Sequence, residues 1–455
     1  MASPSDATPN RMPSEVIAWL HHTSLADMPR DVVEFGRRCL LDLLGVAASG
    51  RTTKLSTIIH DHAVDHFGAG ATAAPLLFDG RIVSPAGAAL AGGMTIDSID
   101  AHDGHKLTKG HSGCSQLPAL LAIASATQCT SGADFVADLI VGYEIATRAG
   151  IALHATVPDY HTSGAWGAVG AAALGARLLK LDNRSTFEAL GIAEYHGPRS
   201  QMMRVIDHPT MLKDGSGWGA MAGVSAAYLA AAGFTGAPAV TVNAPAVEHL
   251  WCDLGERWII MEQYFKPYPV CRWAQPAVEA VLALRSEYDV RPVEVDRIEV
   301  ATFHEAARLA TTQPSSTEQA QYSLPFPVAA ALSRGRLGAA EVTEGALDDQ
   351  EIRALAQRVT MVEDPDHNAA FPANRYARVT LHLNDGRTLA SPNYEPRGDP
   401  EAHLSDTGIR SKFHALSAGV LGRERALRIE DAIDGLVTGN ELERLLGLIY
   451  SPIDQ

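Results

Sequence analysis

Cysteine is scarce in this chain and is never spaced as CxxC: Cys39, Cys114, Cys129, Cys252 and Cys271 are scattered and odd in number. That excludes a zinc ribbon and a disulfide framework and leaves reduced thiols, as expected of a cytoplasmic protein. Basic charge is short as well. Lys and Arg number 37 against 53 Asp and Glu, a formal net charge of -16. No Lys/Arg cluster stands out, which argues against a nucleic-acid partner. One basic pocket for a small anion remains compatible with an acidic whole. Apolar runs long enough to cross a bilayer are missing; GAVGAAALGARLL is too short and too rich in glycine. The start, MASPSDATPNRMPSEV, has no basic stretch followed by an apolar one, so no secretory signal is expected. The expectation is a soluble, cytoplasmic protein with no membrane association.

What is present is a chain of 455 residues, 46% hydrophobic and 20% charged, with room for two domains. Residues from about 12 to 265 carry apolar positions at three- and four-residue spacing, as in RDVVEFGRRCLLDLLGVAASG and GADFVADLIVGYEIATRAGIALH. Small residues crowd several of these faces, which predicts close helix packing and central helices buried all round. After YFKPYPVCRW the texture changes. RIEVATF reads as a strand, and ARVTLHLNDGRTLAS alternates about Asn384-Asp385-Gly386, a hairpin signal. The tail returns to helical spacing. The fold class expected is therefore mainly α: a large helical domain from residues 1–265 and 406–455, with an α+β domain at 266–405 inserted.

Between Met94 and Pro118 the sequence MTIDSIDAHDGHKLTKGHSGCSQLP crowds titratable groups into an otherwise alanine- and leucine-rich region. Asp100, His102, His105 and His111 are ligand types for zinc or iron, but their spacing fits no standard pattern, so a metal-free polar site is preferred. Gly215-Ser-Gly217-Trp-Gly-Ala220 fits GxGxxA without the preceding strand a dinucleotide site needs, and reads as a close-packed helix start. Cys114 near His111 is a weak thiolate pair, and no GxSxG elbow exists. Proton transfer fits better. His161 stands at the entry to a small-residue helix, Lys213 before a glycine-rich helix start, and Lys266 at the change of texture. A lysine so placed can grip a carboxylate or act as a base once desolvated.

Five motifs in order carry a resemblance over nearly the whole chain. They are Asp97 to His111-Ser112-Gly113 with LPALLAIA, His161 to Asp182 ending in ARLLKLD, Lys213 before a small-residue helix, Lys266 to Pro269, and Ser323 to Phe326. Together they resemble the MmgE/PrpD family. The resemblance implies a helical domain formed by both termini, an α+β lid, a homodimer, and cofactor-free chemistry on small di- or tricarboxylates. Family activities are 2-methylcitrate dehydration, cis-aconitate decarboxylation and iminodisuccinate epimerisation. Carried over position by position, the resemblance implies acid/base and binding roles for Asp97, His111, His161, Lys213 and Lys266. Asp100 and His102 are candidate substrate-binding groups beside them, and Arg204 and Arg272 are candidate carboxylate clamps.

Two hydroxyls of the family pattern are missing. The DxDDT run reads Asp97-Ser-Ile-Asp100-Ala101, and the aromatic after Ser-Leu-Pro is Phe326, with Tyr322 expected to point elsewhere on a helix. Retained bases beside lost hydroxyls favour an epimerase that removes and returns a proton beside a carboxylate, as on iminodisuccinate. The alternatives are a hydro-lyase or decarboxylase of a citrate- or aconitate-like acid, and a non-catalytic carboxylate-binding protein. Asp103, His105, Lys106 and Lys109 read as solvated loop.

Overall fold

The computed structural model describes residues 14–453, and its elements are mainly helices. Helix starts follow local chemistry. Ser84 caps helix Pro85–Asp97 by accepting the Gly87 N–H (3.2 Å), with proline at the first turn. Asp182 does the same for Asn183–His196 through the Ser185 N–H (2.7 Å). Gly215, at φ +65°, opens Ser216–Ala231 in the left-handed region that favours glycine.

The small residues decide how these helices meet. A Cβ at Gly93 would lie 2.5 Å from the Gly217 Cα, and one at Gly217 would lie 2.4 Å from the Leu90 carbonyl oxygen. Helices Pro85–Asp97 and Ser216–Ala231 therefore touch backbone to backbone, one turn before Asp97. Helix Gly164–Leu178 also packs closely on Ser216–Ala231, through Gly219 against Gly164 and Gly223 against Ala168. The GxGxxA stretch is thus a packing device at a helix start.

One apolar core joins helix Arg30–Gly50, helix Gly132–Thr156 and the C-terminal helices Asp406–Leu421, Arg423–Gly435 and Leu442–Tyr450. A second core is built on a four-stranded sheet ordered Val359–Glu363, Val295–Thr302, Ala377–Leu383, Thr388–Ala390. The first pair is parallel and the others antiparallel, and Thr380 opposite Ala390 sets the hairpin register about Gly386 at φ +88°. Helices Gln275–Tyr288 and Pro325–Arg334 pack into this core. So do Met202, Val205 and Ile206, which come from far earlier in the chain. Among the described residues no helix is long and apolar enough to cross a membrane.

Candidate active site

The segment after helix Pro85–Asp97 does not lie in solvent. Asp97, Asp100, His102, Asp103 and His105 are all buried, which corrects the reading of Asp103 and His105 as solvated loop. Their cover comes from distant sequence. Gly104–His105 pairs antiparallel with Gln263–Tyr264, and His105 Nε2 lies 3.4 Å from Glu262. Lys106 pairs with Asp399 (3.1 Å) and Glu401 (2.8 Å), and Lys109, half-buried, lies over the Tyr160 ring. Lys412, from helix Asp406–Leu421, donates to the Ala101 carbonyl (2.6 Å) and pairs with buried Asp42 (2.6 Å). The loop is thus covered by residues 262–264, by Asp399 and Glu401, and by Lys412.

Asp97 sits where the Gly93–Gly217 contact delivers it, against the start of helix Ser216–Ala231. Its Oδ2 accepts the N–H groups of Asp214 (3.1 Å) and Ser216 (3.4 Å), a cap supplied by another helix. Its Oδ1 lies 3.4 Å from His102 Nε2. Asp100 is paired with Lys266, Nζ to Oδ1 at 2.5 Å, both fully buried. Burial works to raise the Asp100 pKa, but the ammonium groups of Lys266 and Lys213 outweigh it and hold the carboxyl well below its usual range. Burial likewise opposes the charge on Lys266, and Asp100 overcomes it, leaving the lysine pKa raised.

His111 shows the opposite balance. Burial first, then the charge on Lys266 and the neighbouring His102, push its pKa well below the usual value. The rings of His102 and His111 are 4.3 Å apart, edge to face. His111 Nδ1 lies 2.5 Å from the Asp103 carbonyl, an acceptor, so Nδ1 carries the proton and Nε2 keeps its lone pair. The His111 N–H donates to Ser163 Oγ (2.9 Å), whose hydroxyl donates to Asp214. Burial, followed by the nearby Asp97 carboxylate, raises the pKa of Asp214. Ser163, two positions beyond His161, carries no motif that marks it in the sequence.

Of these groups Asp100, His111 and Lys266 face a cavity with about 340 Å³ of empty space including its mouth. Asp100, His111, Lys266, Arg272, Tyr322 and Arg375 are among its walls, with Tyr160, Tyr264, Cys271 and Trp273. Tyr322 is buried and its ring carries Lys213 Nζ 4.6 Å from the centroid. This corrects the expectation that Tyr322 points away. Helix Thr317–Gln321 ends at Tyr322 and a new one starts at Pro325, where Ser323 Oγ accepts the Phe326 N–H (3.0 Å). The break turns Tyr322 to the cavity while Phe326 fills the second core. Lys213, in the left-handed region at φ +49°, donates to Gln321 Oε1 (2.7 Å), which also accepts the Asp100 N–H (2.9 Å).

The remaining sequence candidates fall elsewhere. His161 is half-buried beside His154, whose Nε2 accepts the His161 N–H (3.1 Å), and it is not part of the cavity wall. Burial and then Arg199 lower its pKa. Arg204 is exposed on the short helix Met203–Asp207, bonded to Ser200 (3.2 Å). Arg272 lies in the wall, its guanidinium held by Asp399 (2.5 Å), Gln275 (2.8 Å) and the Arg397 carbonyl (2.9 Å). Ligand atoms of Asp100, His102 and His111 come within 4.8 Å of one another, a spacing that suits a cation. Lys266 already supplies a positive charge on the Asp100 oxygen.

Two family descriptions cover the chain: the MmgE/PrpD N-terminal domain over residues 14–247 and the MmgE/PrpD C-terminal domain over 268–436. The chain belongs to the MmgE/PrpD family. Its relatives include the cis-aconitate decarboxylase-like protein oryM of Aspergillus oryzae, 25% identical over 98% of this chain and 98% of that protein. Cis-aconitate decarboxylase of Aspergillus terreus is 24% identical over 97% and 96%. Cis-aconitate decarboxylase of Homo sapiens is 24% identical over 95% and 93%. As an MmgE/PrpD protein, the chain places its second family segment across the sheet core and on into the C-terminal helices.

Proposed function

We propose that the protein is a cofactor-independent lyase that decarboxylates an unsaturated tricarboxylate of the cis-aconitate type. The carrying observation is one neutral imidazole, His111, with a free Nε2 at a cavity whose walls hold Lys266, Arg272, Arg375 and the Tyr322 hydroxyl. The names of the relatives agree with this reading.

In the reaction the bond from a methylene carbon to its carboxylate breaks and carbon dioxide leaves. The electron pair forms a new double bond, the old double bond shifts, and negative charge develops on a carbon beside a second carboxylate. Fixed cations and hydroxyls around that carboxylate stabilise the charge as it forms. A proton must then reach that carbon. His111 is suited to carry it: a polyanion entering the cavity offsets the Lys266 charge that helps keep the ring neutral, so the ring takes up a proton at Nε2 and later delivers it.

The epimerase expectation leaned on two absent hydroxyls, and a tyrosine in the cavity wall, Tyr322, weakens that ground. An epimerase of the two-base type also needs bases on opposite faces. Lys266 is spent on Asp100 and Lys213 on Gln321, while His161 stands outside the wall. A panel of cis-aconitate, 2-methylcitrate and iminodisuccinate stereoisomers, followed by carbon dioxide release and by proton NMR, tests the reading. Carbon dioxide from cis-aconitate is expected; isomer exchange of iminodisuccinate without it defeats the proposal.

A further inference from the structure

Most cations at the cavity are already committed. Lys266 is on Asp100, and both terminal nitrogens of Arg272 are on Gln275, Asp399 and backbone carbonyls. Arg375 differs. It is 2% exposed, yet only its Nη2 has a partner, the Lys106 carbonyl at 3.3 Å. Its Nε and Nη1 are buried without a hydrogen-bond acceptor, and Arg272 Nε shares that condition. A buried guanidinium N–H left unpaired is costly, so its retention at a cavity wall calls for an acceptor that arrives from outside. Both guanidinium groups lie over the Tyr264 ring, Arg272 at 4.5 Å and Arg375 at 5.6 Å from its centroid. Asp399 is bonded to Arg272 (2.5 Å), and its carboxyl, which burial would raise, is held below its usual range by Arg272 and Arg375. Tyr264 also meets the His111 ring edge to face at 6.3 Å, which puts this arginine pair one aromatic ring away from the reacting imidazole.

We propose that Arg375, with Arg272 Nε and the Tyr264 ring, forms a subsite for the carboxylate most remote from the reacting carbon. The subsite selects tricarboxylates over dicarboxylates. It rests on the decarboxylase reading for the name of the substrate, but not for its ligand chemistry, which is a carboxylate on a buried planar donor set. Arg375 contributes binding rather than bond breaking, so its loss raises KM more than it lowers kcat.

The test titrates propane-1,2,3-tricarboxylate, a saturated compound that cannot lose carbon dioxide by this route, and succinate, which lacks the third carboxylate. Calorimetry compares the full-length protein with Arg375→Met and Arg375→Gln, each first checked for an unchanged thermal transition. Charge-assisted bonds of about 1.5–3 kcal/mol correspond to a loss of roughly 10- to 150-fold. That loss is expected for the tricarboxylate in both variants, with succinate affinity changed less than about threefold. Equal weakening of both ligands reduces Arg375 to a general electrostatic role and overturns the proposal, as does no change for either. Selective loss of tricarboxylate affinity in a protein that fails to release carbon dioxide from cis-aconitate sinks the reaction proposed above and leaves the subsite standing.

Discussion

Replacing Lys266 with methionine leaves the Asp100 carboxylate buried without the ammonium that lies 2.5 Å from it. The stranded group has one inexpensive escape, which is to take up a proton. An aspartate with an ordinary unfolded pKa near 3.9 gives up about 1.4 kcal/mol for every pH unit above that value at which it must stay neutral. At pH 7 the cost is therefore at most about 4 kcal/mol, since Lys213 still favours the ionised group, against the roughly 3–5 kcal/mol found when one member of a buried pair is removed. At pH 5 it falls to about 1.5 kcal/mol. The wild-type pair is unaffected over that interval. The Asp100 pKa is depressed in the fold, so its stabilisation is fully present above about 3.9 and is lost only below it. Urea denaturation of both proteins at pH 5 and pH 7 reads the difference from midpoint and slope. The double variant Asp100→Asn with Lys266→Met should recover most of the loss. A deficit below about 1 kcal/mol at pH 7, or one that does not shrink toward pH 5, would show that Asp100 does not depend on the Lys266 charge.

Two further outcomes follow from the same environment. Burial raises the Asp103 pKa to about 6, so the folded protein must ionise this group at a penalty of about 3 kcal/mol above that pH. Stability attributable to Asp103 is then highest below about pH 4 and declines between about pH 4 and 6, and Asp103→Asn should be the more stable protein at pH 7 but not at pH 4; equal urea midpoints for the two proteins at pH 7 contradict this. Tyr322→Phe removes only a hydroxyl and should lower turnover by roughly 10²- to 10³-fold while leaving the urea midpoint nearly in place; a variant with wild-type kcat removes Tyr322 from the chemistry.

Period and turn chemistry made much of the fold legible. The three- and four-residue spacing of helices Arg30–Gly50 and Gly132–Thr156, and the Asn384-Asp385-Gly386 hairpin, depend on neighbours in sequence. Gly217 could be read as a packing residue for the same reason, since a helix start lay beside it. The crowding of titratable groups in an alanine- and leucine-rich stretch drew attention to Asp100 and His111, and the family resemblance added Lys266; the fold brings these three to one cavity, while Asp97, also carried over by resemblance, lies outside its wall. The site was not legible where a distant partner decides the environment. His105 and Asp103 look solvated until strand Gln263–Tyr264 and the C-terminal Lys412 cover their loop. Tyr322 was misjudged because a continuous helix was assumed across Ser323-Leu324-Pro325, where the chain instead breaks and restarts. Arg375, in the segment Phe371-Pro372-Ala373-Asn374-Arg375, has no periodic or motif context at all. Only its burial with unpaired nitrogens marks it.

The most direct test of the central claim is proton NMR of cis-aconitate incubated with the protein in deuterium oxide, with carbon dioxide measured in parallel. Decarboxylation with proton delivery from His111 predicts one carbon dioxide per product molecule and one deuterium on the carbon beside the retained carboxylate. In His111→Ala both signals should be lost together. Unchanged tricarboxylate, a hydrated product, or deuterium exchange without carbon dioxide would contradict it.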